Sequence, residues 1–223
     1  MNNFQNTTSA ITFGNSFTSK VFFFFGLAIL MSAVGAYTGL NYFASYFLGS
    51  QAFIWGLWIV ELLLVFTAKA WSKTKPLNYL LFAVFAFITG VSIVPLLAII
   101  IQEGGADLII KAFGATGLMF GAAALFGTTT KIDLSGMRGF LMLSLLGMII
   151  VSILGIFIPW SNNFEMIFSG FGVVLFSGYA MYDIQKLKYY NENEYIDAAL
   201  QLYLDIFNLF LYILRLLSAF SRD

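Results

Sequence analysis

The chain has 223 residues, of which 60% are hydrophobic and 10% charged, with a formal net charge of +0 and a mean hydropathy of +0.88. A soluble domain carries roughly 25% charged residues, so this chain lacks the polar surface to stay in water and reads as an integral membrane protein; zero net charge gives no pull toward nucleic acid. Cysteine and histidine are both absent, which excludes disulfides, thiolate and imidazole metal ligands, Ser-His and Cys-His catalysis and a histidine pH switch.

The first nineteen residues are polar and uncharged, and the apolar stretch that follows runs straight to spanning length. It reads as a retained helix after a polar tail (1–20), not as a cleaved signal peptide. About 20 apolar residues cross a hydrocarbon core of roughly 30 Å. Seven stretches qualify: 21–48, 53–70, 78–101, 108–127, 139–160, 165–186 and 198–218. They predict one all-α, seven-span domain over 21–218 and a short tail, 219–223. Six spans plus a re-entrant seventh segment is the competing reading, because the last stretch is the most polar. Pro95 predicts a kink within the third span, and Pro159 closes the fifth. Gly117 and Gly121, at GxxxG spacing, read as close helix packing.

Basic residues in the short loops set orientation. Lys20, Lys69, Lys73, Lys75, Lys131, Arg138, Lys186 and Lys188 fall on the amino-terminal side, against Lys111 and Arg222, with Arg215 near the end of the last helix. This predicts a cytoplasmic amino terminus and an exterior carboxyl terminus.

The last span, "LQLYLDIFNLFLYILRLL", carries Gln201, Asp205, Asn208, Tyr212 and Arg215 at steps of four, three, four and three. That spacing puts them on one helical stripe, which is too costly to face lipid and so faces the bundle interior. For Gln201, Asn208 and Tyr212, a hydrogen-bonded seam between helices is an equal alternative. The sixth span ends in "SGYAMYDIQKLK", placing Asp183 at the same cytoplasmic depth as Asp205. At about 1.5 Å per residue the two carboxyls can meet, share a proton, or, when ionised, offer oxygen ligands to a hard cation such as Ca²⁺. Glu61, within the second span, either lines a path or forms a structural bridge with a Lys or with Arg215. Arg215 itself is able to snorkel to the membrane surface.

Four stretches carry a resemblance: "NYLLFAVFAFITGVSIVPL", "TTTKIDLSGM", "SGYAMYDIQKLK" and "ALQLYLDIFNLFLYILRLL". Together the chain resembles the transmembrane Bax inhibitor motif family, in the short bacterial form that lacks a long Pro-rich extension. The resemblance implies six helices around a central seventh, and a pH-sensitive calcium leak gated by the pair that falls on Asp183 and Asp205. In some members a basic residue at the cytoplasmic end of the second span meets this pair; here "FTAKAWSKTK" offers Lys69 or Lys73. Other bacterial relatives modulate a membrane-bound protease, which makes a binding function the alternative. The expected partners are the lipid bilayer, calcium ions and protons, with that protease or another membrane protein as the alternative; no resident cofactor is implied, and the bacterial inner membrane is the expected location. An intramembrane aspartyl protease is disfavoured: Tyr182-Asp183 fits its first motif, but Tyr203 and Leu204 stand where its second needs glycines.

Overall fold

The computed structural model describes residues 15–222, and these are all helical or loop. The first helix, α1 (Asn15–Thr38), passes through a π-turn at Gly39–Phe43 into α2 (Ala44–Gly49). It begins before the expected boundary at residue 21 because Phe17 and Val21 are already in the core, with Phe17 stacked on Tyr190 at 6.3 Å. Ser50 caps the next helix by accepting a hydrogen bond from the Phe53 amide at 3.2 Å, starting α3 (Gln51–Phe66); α4 (Ala68–Trp71) follows.

A single apolar stretch was expected over 78–101. It is broken at Ile93 into α5 (Leu77–Ser92) and α6 (Val94–Gly104), because Pro95 cannot supply an amide to the continuing ladder. Gly105, at φ 78, then turns the chain into α7 (Ala106–Thr129), a left-handed conformation that glycine adopts without Cβ strain. The remaining long helices are α8 (Arg138–Phe157), α9 (Asn162–Lys186) and α10 (Tyr195–Ser221). α8 stops two residues before Pro159, as expected.

Among the described residues, six segments are long and apolar enough to cross a membrane: Phe17–Phe47, Leu77–Gly104, Ala106–Thr129, Leu134–Phe157, Asn162–Tyr189 and Glu192–Ser221. The expected second span is shorter, a 16-residue apolar helix over Gln51–Phe66. That gives about 24 Å of helix against a core of about 30 Å.

Packing depends on two glycines that sequence spacing did not single out. A Cβ on Gly35 would strike the Phe87 carbonyl, and a Cβ on Gly90 would strike the Ser32 carbonyl. Their absence lets the backbones of α1 and α5 touch, which in lipid stands in for the missing hydrophobic drive between helices. The GxxxG pair behaves differently: nothing lies within 4 Å of a Cβ built on Gly117 or Gly121, and both are exposed on α7. Their spacing gives no close packing within this chain.

α10 packs on α1, α5, α6, α7 and α9, whereas α3 leans mainly on α5 and α8 mainly on α9. One end of the bundle gathers Lys20 and Lys75 over the Tyr195 ring, at 5.7 and 5.6 Å, and pairs Lys73 with Glu194 at 2.7 Å. At the far end of α10, Arg222 meets Glu165 at 2.8 Å and Glu103 at 3.7 Å.

Candidate functional site

The face of α10 turned toward α3 and α8 borders a cavity of about 1050 Å³. Gln201, Asp205, Asn208 and Arg215 line it from α10, Asp183 from α9 and Glu61 from α3. Thr89 and Ser92 add hydroxyls from α5. From Gln201 to Arg215 the lined face runs about 21 Å at 1.5 Å per residue, most of the way across a bilayer core.

The predicted stripe therefore splits. Four of its residues border the cavity, but Tyr212 turns toward α9, where it stacks on Phe176 at 5.6 Å and meets the edge of Phe168 at 6.0 Å. Asn208 donates to the Leu204 carbonyl at 2.7 Å, within its own helix, so its side-chain carbonyl is left to the cavity. Arg215 is half-buried in the cavity wall.

Asp183 and Asp205 come together. They are 6% and 5% exposed, and their side chains lie within hydrogen-bonding reach of each other. Two ionised carboxylates have only acceptors to offer, so a direct hydrogen bond between them would need a shared proton. The outer oxygens Asp183 Oδ1 and Asp205 Oδ2 are buried and accept no conventional hydrogen bond among the described residues. A water, an ion or a proton can complete oxygens left in that state. Glu61 Oε1 on the opposite wall is buried and unpartnered in the same way.

The nearest cation to the pair is Lys186. Its Nζ stands 3.5 Å from Asp183 Oδ1 and donates to Gln201 Oε1 at 2.8 Å. Of the basic residues expected at the end of the second span, Lys69 is exposed on α4 and Lys73 is engaged with Glu194. The hydrogen bond to Glu194 holds the Lys73 ammonium above the usual lysine range. Beside Lys186, burial holds the Tyr190 hydroxyl well above the usual tyrosine range, so it stays a neutral neighbour.

The loop next to the site is fastened by one side chain to which the sequence reading gave no role. Gln185 accepts from the Leu134 amide and donates to the Ile132 carbonyl, both at 2.8 Å. In the same loop the Ser135 amide and hydroxyl, each at 2.9 Å, hold the Asp133 carboxylate below its usual range. The signal for Lys186 was available in its i, i+3 spacing from Asp183, which places both on one helix face; Gln185 gave none, because its partners are distant in sequence.

Comparison with known proteins places this arrangement in a family. Residues 14–222 match the family described as Inhibitor of apoptosis-promoting Bax1. The chain belongs to that family. It is similar to a protein of Helicobacter pylori strain J99, with 33% identity over 93% of this chain and 89% of the relative. A Campylobacter jejuni protein is 32% identical over 98% of this chain and 94% of its own length. An uncharacterized membrane protein of Streptococcus pyogenes serotype M3 is 30% identical, over 91% of this chain and 92% of its own. These matches make the chain a membrane protein of the Bax inhibitor-1 family.

Proposed function

We propose that this protein is a pH-sensitive calcium leak whose gate is the Asp183–Asp205 pair. The observation that carries the reading is the meeting of two buried carboxyls in the wall of a cavity that follows α10 from Gln201 to Arg215. With one shared proton, the pair fastens α9 to α10. When that proton leaves, two adjacent negative charges in a low-dielectric wall repel, and α9 parts from α10 at the cytoplasmic mouth. The carboxylates then present oxygens to a cation entering down its gradient from outside.

Ca²⁺ takes six to eight oxygen ligands, and among the described residues no three Asp, Glu, His or Cys side chains gather at one point. That chemistry suits a partly hydrated ion in transit. Glu61, with Ser92 and Thr89 nearby on the cavity wall, supplies an intermediate oxygen site between the outer end and the pair.

The reading carries seven crossings, with α3 and α4 making the return from the outer face. Lys20 and Lys73 at one end of the bundle support this, since α1 leaves that end and the chain is back there by Lys73. It also carries a cytoplasmic amino terminus and an exterior carboxyl terminus in the bacterial inner membrane.

The second reading, a regulator that binds another membrane protein such as a membrane-bound protease, draws on the uncovered Gly117 and Gly121 of α7, because small residues favour contact between helices in lipid. Calcium entry into liposomes containing only the purified chain separates the two. The leak reading expects entry that rises with pH; the regulator reading expects none.

A further inference from the structure

We infer that Lys20, Lys75 and the Tyr79–Tyr195 hydroxyl pair seat the phosphate of an anionic phospholipid, in the leaflet that meets this end of the bundle. The inference stands apart from the leak reading and concerns what the protein binds from the bilayer. Three helices meet to build the seat. Lys20 comes from α1, Lys75 from the turn before α5, and Tyr195 opens α10. The two ammonium groups converge on the Tyr195 ring, at 5.7 and 5.6 Å from its centroid. Phe24 of α1 stacks on both tyrosines, at 5.0 Å from Tyr79 and 5.6 Å from Tyr195. Tyr195 is itself buried, so the charges stand over a fixed aromatic floor.

The charges so gathered lack a counter-charge from the protein. Neither Lys20 nor Lys75 forms an ion pair among the described residues, and both are exposed. Glu194, the acid adjoining Tyr195, is taken by Lys73 at 2.7 Å. The Tyr79 and Tyr195 hydroxyls lie 2.7 Å apart, a bond that uses one of their two protons. The other O–H has no acceptor among the described residues. Two ammonium groups and a spare hydroxyl donor match the oxygens of a phosphodiester, to which such bonds are charge-assisted.

The surface deeper in the bilayer says which anion fits. Phe23 and Leu27 follow Lys20 at three and seven residues, on the same face of α1, and both are exposed, as are Leu80 and Val84 of α5. A phospholipid held at the lysines lays its acyl chains along this apolar surface, from which a free phosphate gains nothing. Any basic residue at a membrane surface attracts anionic lipid diffusely, as Lys131 and Lys188 do from loops at the same end. Lys20 and Lys75 differ in sharing one aromatic floor and one spare hydroxyl proton.

The test is electron spin resonance of spin-labelled phosphatidylglycerol and phosphatidylcholine in liposomes holding the purified chain, which separates lipid held on the protein from bulk lipid. The native chain should prefer the anionic label. K20Q/K75Q should lower that preference about fivefold or more, from the contribution of basic residues near anionic lipid, while K20R/K75R should keep it. The single variants K20Q and K75Q should each lose part of the preference, and they give the answer if the double variant does not insert. K131Q/K188Q removes the same charge from the same end and should stay close to native. Equal losses in K20Q/K75Q and K131Q/K188Q would mean diffuse attraction and overturn the inference, as would a native chain with no preference. Displacement of the anionic label by millimolar inorganic phosphate, at matched ionic strength, would make the seat one for free phosphate and overturn the lipid assignment.

Discussion

The Tyr203 hydroxyl lies 2.6 Å from Ser32 Oγ, joining α10 to α1 deep in the bundle. Ser32 Oγ is in turn 3.0 Å from the Ala86 carbonyl of α5, a reach made possible where Gly35 and Gly90 let α1 and α5 touch. Two residues further along α10, Asp205 faces the cavity on another side of the helix. α10 is thus anchored on its α1 face, and the pair joins it to α9 from a different face. Tyr203→Phe should cost about 1 kcal/mol, the net value of a buried hydrogen bond, and Ser32→Ala about 1–2 kcal/mol, because the buried tyrosine hydroxyl loses its partner on α1. Neither should move the pH midpoint of calcium entry. Unfolding in detergent gives the first quantity and liposome flux the second; a shifted midpoint would mean that the anchor and the gate are one unit.

Close approach, not motif spacing, decides which glycines matter. Gly90→Ala forces a Cβ into the Ser32 carbonyl and should destabilise the fold by about 1–3 kcal/mol, as overpacking does. Gly117→Ala meets open space on α7 and should be neutral or slightly stabilising through helix propensity. Comparing the melting of the two variants in detergent checks the contrast, which equal effects would contradict.

Asn208 and Leu209 are neighbours with different duties. A stripe packed against the bundle interior would make Asn208→Leu more disruptive than Leu209→Ala. The structure divides the effect: Leu209 is 0% exposed in the core, so its truncation should cost about 2–5 kcal/mol. Asn208 borders the cavity and, among the described residues, its side chain bonds within its own helix. Its replacement by Leu should leave stability within about 1 kcal/mol, since one intrahelical bond is lost, while lowering calcium entry. Paired stability and flux measurements decide it, and an unstable Asn208→Leu with normal flux would place that side chain in the packing.

Lys20, Lys73 and Lys75 cluster at the end of the bundle opposite Arg222. Reporter fusions at residues 2 and 223 should therefore label opposite faces of the membrane. Labelling on one face would remove the crossing assigned to α3 and α4.

Much of this arrangement was legible in the sequence, for physical reasons that differ by residue. The apolar runs had to be helical, because little else hides backbone polar groups in lipid. Asp183 and Asp205 could be matched by depth, since helical rise fixes distance from the Lys186 boundary. Tyr212 broke from the stripe because a helical face is broad: the same spacing serves both a cavity wall and an aromatic stack on Phe176. Gln185 and the Gly35–Gly90 contact were silent, because their partners come from other helices and leave no periodic trace. Lys73 looked like the coupling cation by position along the chain, yet Glu194 engages it and Lys186 stands beside the pair.

The central claim is that Asp183 and Asp205 act as one titrating unit. It is tested most directly by calcium entry into liposomes as a function of pH for the native chain, Asp183→Asn, Asp205→Asn and the double variant. Asparagine keeps the shape and can still hydrogen-bond, but removes both the titration and the repulsion. The native chain should admit more calcium as pH rises between about 6 and 8, a range bracketing a carboxyl pair that shares a proton in a buried site. Each single variant should lose that dependence, and the double variant should add little to either, as expected when one coupled unit is removed twice. A single variant that follows the native pH curve would contradict the account and leave the aspartates as a seam between α9 and α10.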